Sequence, residues 1–196
     1  MSPRRQRWLP LVPLILLPLL LLELLVAGCD GKKRGEEPPP EGAPLVIDPA
    51  AAVELAAADL YFPDDTGHLS VETVQLPAGP TELRIRRLAE AVIAGPQDTT
   101  GVLHAPLPAA TKVGGVLVLD GVAYLDLHAE NEGQPPAVGS MDEQMILYSL
   151  VDTVVLNTPG VERMVVLWNG SQRETFAGHF DTTRPLSADK ALIANR

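Results

Sequence analysis

The sequence predicts an α+β domain in which two helices pack on one face of a mainly antiparallel sheet. Two stretches with helical periodicity stand among five runs typical of strands, in the order strand, helix, strand, strand, helix, strand, strand. Two gaps between strand runs hold Asp-Gly or Asn-Gly, the dipeptides typical of tight hairpins. A chain of 196 residues also suffices for one main domain with its own core.

The first strand and the first helix are indicated by residue pattern and by turn chemistry. The strand is predicted at 58–62, and the Pro- and Gly-containing run 63–67 stops it. Thr81 is the expected N-cap of the helix, and Gly95, followed by proline, ends it. The apolar residues of this segment recur at the spacing of one helical face: Ile85, Leu88, Ala89, Val92 and Ile93.

Two hairpins are predicted, one on either side of the second helix. Strands 112–119 and 122–129 are joined by Asp-Gly, and strands 161–168 and 172–176 are joined by Asn-Gly. Both dipeptides suit a type I′ turn, which needs positive φ at its two central residues.

The second helix is expected to begin at Ser140 and to end in the run 157–160. Ser140 with Glu143 matches a capping box, in which the serine caps the helix and the glutamate reaches back. The residues that follow leave little polar surface, so we expect the helix to be largely buried.

Residues 1–28 have the features of a signal peptide, with three arginines before a Leu-rich run. The run ends in Val-Ala-Gly before Cys29, which resembles the bacterial lipobox. The resemblance implies cleavage after Gly28 and a lipid on Cys29. The alternative is an uncleaved transmembrane helix, which three prolines and Glu23 disfavour. Asp30 resembles the signal for retention in the inner membrane, so we expect a lipid-anchored protein that faces the periplasm or the cell exterior.

The composition of residues 29–196 indicates a linker followed by a globular domain, and it excludes several functions. Residues 29–57 form a polar, proline-rich linker in this prediction, and residues 58–196 form the globular domain. Without residues 1–28, 12 Lys and Arg stand against 24 Asp and Glu, a net charge of −12. That charge argues against nucleic-acid binding. Since the only cysteine, Cys29, is assigned to the lipid, no disulfide, thiol catalyst or cysteine-based metal site is expected.

The globular domain resembles the GerMN family, a sporulation and spore-germination type module of bacterial envelope lipoproteins. The resemblance rests on residues 60–64, on 120–126 (Asp-Gly-Val-Ala-Tyr-Leu-Asp), which is its most specific stretch, and on 148–153. The family more usually has Asn where Asp152 stands. The resemblance implies a structural or assembly role at a membrane, and it implies no catalytic residue.

Candidate sites for chemistry are weak. Asp126, His128 and Glu130 alternate at the end of a predicted strand, so a divalent metal is conceivable, but a solvated strand end is the favoured interpretation. His179 and Asp181 are interpreted in the same way. The sequence contains no serine in a glycine elbow and no phosphate-binding loop. We therefore predict no catalytic residue, no metal and no cofactor, and a cell-wall hydrolase is disfavoured.

Three aromatic residues are candidates for a partner surface: Tyr61, Phe62 and Trp168. Core packing is the favoured alternative for them, because aromatic residues are few in this chain. The expected function is a non-catalytic interaction or structural module that binds another envelope protein or assembles with itself. The alternative is an extracytoplasmic binding protein for a small ligand or cell-wall fragment, using the polar strand end and the loop 131–138.

Overall fold

A computed structural model of the chain describes residues 53–129 and 133–194. The predicted signal peptide, Cys29 and most of the linker lie outside these residues, so the lipid anchor stays a prediction. Glu130 also lies outside them. Among the described residues, no helix combines the length and the apolar character needed to cross a membrane.

Residues 53–129 and 133–194 form two helices and two sheets, which confirms the predicted α+β class. Strands β1 and β2 form an antiparallel hairpin. The second sheet has the order β3-β4-β5-β6, with β4 and β5 parallel and the other pairs antiparallel. The elements are β1 (Leu55–Pro63), β2 (Leu69–Pro77), α1 (Thr81–Ala94), β3 (Thr111–Leu119), β4 (Val122–Ala129), α2 (Ser140–Asn157), β5 (Arg163–Trp168) and β6 (Ser171–Gln172).

Strand β2 is absent from the predicted order, and its sequence explains the omission. Its two buried side chains, Leu69 and Val74, are five residues apart and therefore lie on opposite faces of the strand. The strand consequently lacks the regular alternation by which a half-buried strand is identified. It is a strand because it pairs with β1, and the turn between the two strands includes Gly67 at φ 78°. The strands accordingly form two sheets, where the sequence predicted one.

Helix α2 lies at the centre of the core and also covers one edge of β1. The Asn157 side chain donates to the carbonyl of Asp59 (2.7 Å) and accepts from its N–H (2.9 Å). The Thr153 hydroxyl accepts from the N–H of Tyr61 (3.1 Å). Because these side chains satisfy backbone groups that would otherwise need a neighbouring strand, β1 is protected on the side away from β2.

Both predicted tight turns are confirmed. Asp120 and Gly121 have φ of 49° and 73°, and Asn169 and Gly170 have φ of 50° and 72°. The last strand is shorter than the predicted 172–176, because the chain leaves the sheet after Gln172.

The predicted side-chain N-caps of both helices are wrong. Thr81 and Ser140 are the first residues of their helices, and the N-cap positions are Pro80 and Gly139, without side-chain capping bonds. The Glu143 carboxylate does not reach back to the helix start. It is fully buried and accepts hydrogen bonds from a distant segment of the chain, which satisfies it without a capping box.

Candidate interaction site

The three aromatic residues considered for a partner surface lie in the core. Phe62 is fully buried, and Tyr61 and Trp168 are 7% and 4% exposed. The Trp168 indole packs edge-on against Phe176 and donates its N–H to the carbonyl of Gly133 (2.7 Å). The core-packing alternative is therefore correct, and the surface interpretation of these side chains is wrong.

Asp126 and His128 do share the outward face of β4, as predicted, but a hydrogen bond already occupies Asp126. Its Oδ1 accepts from the N–H of Gly170 (2.7 Å), which holds the β5–β6 turn against β4. Both side chains lie over Gly114, where a Cβ would be 2.8 Å from Asp126 Oδ2 and 3.1 Å from His128 Nδ1. Within residues 53–129 and 133–194, no three His, Asp or Glu side chains cluster as a metal site.

His179 and Asp181 also serve local structure. The His179 ring nitrogen Nε2 lies 3.2 Å from the carbonyl of Val138. Asp181 accepts hydrogen bonds from the hydroxyl and the N–H of Thr183, and these bonds lower the pKa of the carboxyl. Both arrangements are accounted for by loop structure alone.

Two buried carboxylates of α2 hold the C-terminal third of the domain. Glu143 accepts hydrogen bonds of 2.7 Å from the N–H groups of Ala177 and His179. Asp152 accepts one of 2.9 Å from the N–H of Asp189, and its second oxygen has no hydrogen-bond partner among the described residues. Burial raises the pKa of Asp152 to about 6, against the lowering effect of that hydrogen bond.

The sequence signal for these carboxylates is present but ambiguous. Acidic residues inside an otherwise apolar helical run are unusual, since a buried charge needs hydrogen-bond partners. Their partners lie 34 to 37 residues further along the chain.

The outward face of the larger sheet carries exposed apolar side chains. We call this the β3 surface, and it consists of Gly115, Leu117, Leu119, Tyr124 and Leu167. Leu117 and Leu119 are 57% and 56% exposed, and Leu117 lies opposite Tyr124 in the sheet register. The helices cover the other face, where Leu125 and Leu127 are fully buried. The β3 surface therefore lies on the side of the sheet away from the main core.

Strand β3 forms one edge of the larger sheet. Among the strands of the described part of the chain, β3 pairs with β4 alone. Arg86 donates to the carbonyls of Val113 (2.8 Å) and Gly114 (3.2 Å), which covers the beginning of the strand. From Gly115 to Leu119, no backbone hydrogen bond on the side away from β4 is formed with any described residue. An exposed apolar edge of this kind can pair with another strand.

A second surface feature is a cleft of about 360 Å³ near the beginning of α2. We call it the acidic cleft. Burial opposes the charge of Asp64, but hydrogen bonds from Thr66, Ser70 and His68 lower the pKa of this carboxyl to about 2. The cleft combines this fixed negative charge with an apolar wall, and its lining includes Pro63, Asp64, His104, Met141, Asp142 and Met145.

Comparison with known proteins agrees with the predicted resemblance. The family model Germane, described as sporulation and spore germination, matches residues 59–174. This range contains β1 through β6 except for the first four residues of β1. The search of curated proteins returned no match.

Solved structures share the fold. The first GerMN domain of the sporulation protein GerM from Bacillus subtilis has a TM-score of 0.54 at 20% identity, covering 69% of this chain and 98% of that one. The tandem GerMN domains of the same protein give 0.50 at 22% identity, over 68% of this chain and 46% of that one. A "Putative Lipoprotein from Clostridium perfringens" gives 0.50 at 23% identity, covering 69% and 89%.

Proposed function

The chain belongs to the Germane family of sporulation and spore germination domains, and we propose that it is a lipid-anchored, non-catalytic interaction module of the bacterial cell envelope. The observation that carries the proposal is the β3 surface with its unpaired strand edge. Leu117 and Leu119 are each more than half exposed to solvent on one sheet face. Contiguous exposed apolar residues of this kind are typical of protein–protein contacts.

The absence of a catalytic role is supported by the engagement of the chemically capable side chains. Asp126 holds a turn, Glu143 holds the segment after β6, and Asp152 holds the C-terminal segment. Each carboxylate is thereby fixed to backbone N–H groups. An acid–base catalyst would need to face a substrate-sized space, and Glu143 and Asp152 are fully buried within their own chain.

The anchor is the second part of the proposal. Val26-Ala27-Gly28-Cys29 provides the lipobox, and the following basic residues Lys32, Lys33 and Arg34 favour anionic headgroups. Asp30 next to the lipidated cysteine favours the inner membrane. The module then stands at the periplasmic face, or outside the cell in a host with one membrane.

Lipidation is tested by membrane fractionation and intact mass of the full-length protein and of Cys29→Ala. We expect the wild-type protein in the membrane fraction, with the mass of a chain that begins at an acylated Cys29. Cys29→Ala should retain residues 1–28 and lose the acyl mass. Ser187→Ala, an exposed change far from the lipobox in sequence, is the control and should behave like wild type. An unacylated wild-type chain would contradict the anchor.

The acidic cleft favours a second candidate function, an extracytoplasmic binding protein for a small ligand. Its volume of about 360 Å³ falls in the range of ligand sites. Thermal shift of the full chain with muropeptides and with divalent cations tests this function. A saturable rise in melting temperature, lost in Asp64→Asn, would support it, and unchanged melting with every probe would contradict it.

A further inference from the structure

We propose that β3 pairs with β3 of a second copy, antiparallel and about a two-fold axis at Leu117. The inference rests on the proposed interaction role and deepens it by identifying the partner as this chain itself. The two larger sheets would join into one continuous sheet. The β3 surfaces of both copies would then lie side by side on the same face.

From Gly115 to Leu119, the edge of β3 lacks the features by which proteins prevent such pairing. Edge strands are usually interrupted by charges, proline or bulges, or are covered by another element. Val113 to Leu119 contains no charge and no proline. The register with β4 is irregular between Val113 and Gly115, and Arg86 covers the carbonyls of Val113 and Gly114. Both features lie at the beginning of the strand. The remaining five residues are apolar and keep a regular register with β4, and their other edge forms no backbone hydrogen bond with any described residue. By contrast, β1 is covered by side chains of α2.

The five open residues are complementary to themselves in antiparallel register. With the axis at Leu117, each Leu117 lies opposite its copy, Val116 lies opposite Val118, and Gly115 lies opposite Leu119. Opposed residues in a sheet point to the same face, so leucines meet on the outward face and valines on the core side. The missing side chain of Gly115 leaves room for Leu119 of the other copy. Every opposed pair is apolar, and no like charges meet.

Charge at the two ends of β3 favours the same orientation. Lys112 is exposed at the beginning of the strand, and Asp120 is exposed directly after its end. Antiparallel pairing brings the basic end of one strand towards the acidic end of the other. Parallel pairing would place like charges at each end. The strand therefore favours a two-fold arrangement, the commonest symmetry of soluble oligomers.

The proposed lipid anchor also favours a second copy of this chain as the partner of the β3 edge. Copies tethered to one membrane face by a linker share a thin layer, which raises their effective concentration. A five-residue edge contact is small for a stable complex in dilute solution, and tethering compensates for that weakness. The pairing should accordingly be stronger in membranes than in detergent.

Cysteine crosslinking in membranes of cells that express the full chain tests the register. Opposed Cα atoms in an antiparallel pair are about 4.5–5.5 Å apart, which falls in the range that a disulfide spans. Leu117→Cys should give a disulfide-linked dimer on mild oxidation. Leu55→Cys is the matched control, because Leu55 is 56% exposed against 57% for Leu117 and lies at the beginning of β1, in the other sheet. It should give little or no dimer.

Mixed expression adds a second, independent test. Gly115→Cys and Leu119→Cys, carrying different tags, should crosslink to each other more than either does to itself, since only the mixed pair is directly opposed. Leu117→Asp should abolish dimers captured by amine crosslinking in membranes, and Leu55→Asp should leave them. Circular dichroism of both aspartate variants confirms that the domain remains folded.

Three results would overturn the inference: equal crosslinking at positions 117 and 55, monomers alone in wild-type membranes, or crosslinks from position 117 to a different protein only. The last result would leave the proposed function standing, because the β3 surface would still be an interaction site. Failure of Cys29 acylation would instead contradict the proposed function, whatever the state of β3.

Discussion

The Asp152 carboxylate accepts a hydrogen bond of 2.9 Å from the backbone N–H of Asp189, which ties the C-terminal segment to the central helix. Leu186 in this segment pairs with Met164 of β5, and Ile193 pairs with Leu69 of β2. A single segment thus contacts both sheets, and a buried acid holds it between those two contacts. The stability of the domain should therefore depend on the charge of Asp152.

The first prediction concerns pH. The pKa of Asp152 is raised from 3.8 to about 6 in the folded domain. The folded state then binds a proton more tightly than the unfolded state, so stability falls as pH rises from about 4 to about 6 and changes little from this group above that. Asp152→Asn removes the free-energy cost of burying the charged carboxylate. We expect it to be more stable than wild type at pH 8, by on the order of 2 kcal/mol, and similar at pH 4.

Urea denaturation followed by circular dichroism at pH 4, 6 and 8 measures this difference. Asp142→Asn, an exposed change in the same helix, controls for the loss of one negative charge. Its stability should change with pH as that of the wild type does. If Asp152→Asn were equally destabilising at all three pH values, folding would not raise the pKa of this carboxyl, contrary to this account.

The second prediction concerns Glu143, whose two oxygens each accept one backbone N–H. Glu143→Gln keeps the shape but turns one acceptor into a donor that faces another donor. We expect a loss of stability on the order of 2 kcal/mol. Hydrogen exchange should accelerate most at the amides of Ala177 and His179, and Asp142→Asn again serves as the control. Unchanged exchange at both amides would show that the carboxylate does not hold this segment.

The third prediction concerns two adjacent glycines. A Cβ at Gly114 would lie 2.8 Å from Asp126 Oδ2, whereas one at Gly115 would lie 3.9 Å from the nearest atom, Asp126 Cβ. Gly114→Ala should displace Asp126 from the N–H of Gly170 and cost roughly 1–3 kcal/mol. Gly115→Ala should change stability by less than about 0.5 kcal/mol. Thermal melts of the two variants give the comparison, and equal melting temperatures would refute it.

Features specified by neighbouring residues were predictable from sequence. The turns at Asp120-Gly121 and Asn169-Gly170 depend on local backbone preference, and both have the expected positive φ. The end of α1 at Gly95 follows the same logic. The apolar periodicity of α1 likewise identified its buried face, from Ile85 to Ile93.

Features specified by distant residues were not predictable from sequence. β2 is a strand because β1 pairs with it, and its own pattern does not show one buried face. Glu143 matched a capping box by spacing, yet its partners lie 34 and 36 residues away. The exposure of Leu117 was equally hidden, because an apolar strand shows the same composition whether one face or both are buried.

The central claim, a lipid-anchored module that interacts through the β3 surface, is tested most directly by in-cell crosslinking. The tagged full chain is compared with Cys29→Ala, Leu117→Asp and the control Leu55→Asp, followed by mass spectrometry of the crosslinked species. The account predicts one defined species for wild type and Leu55→Asp that is lost in Leu117→Asp and reduced in Cys29→Ala, which lacks the lipid. The same species at equal yield in all four proteins, or none in wild type, would contradict it.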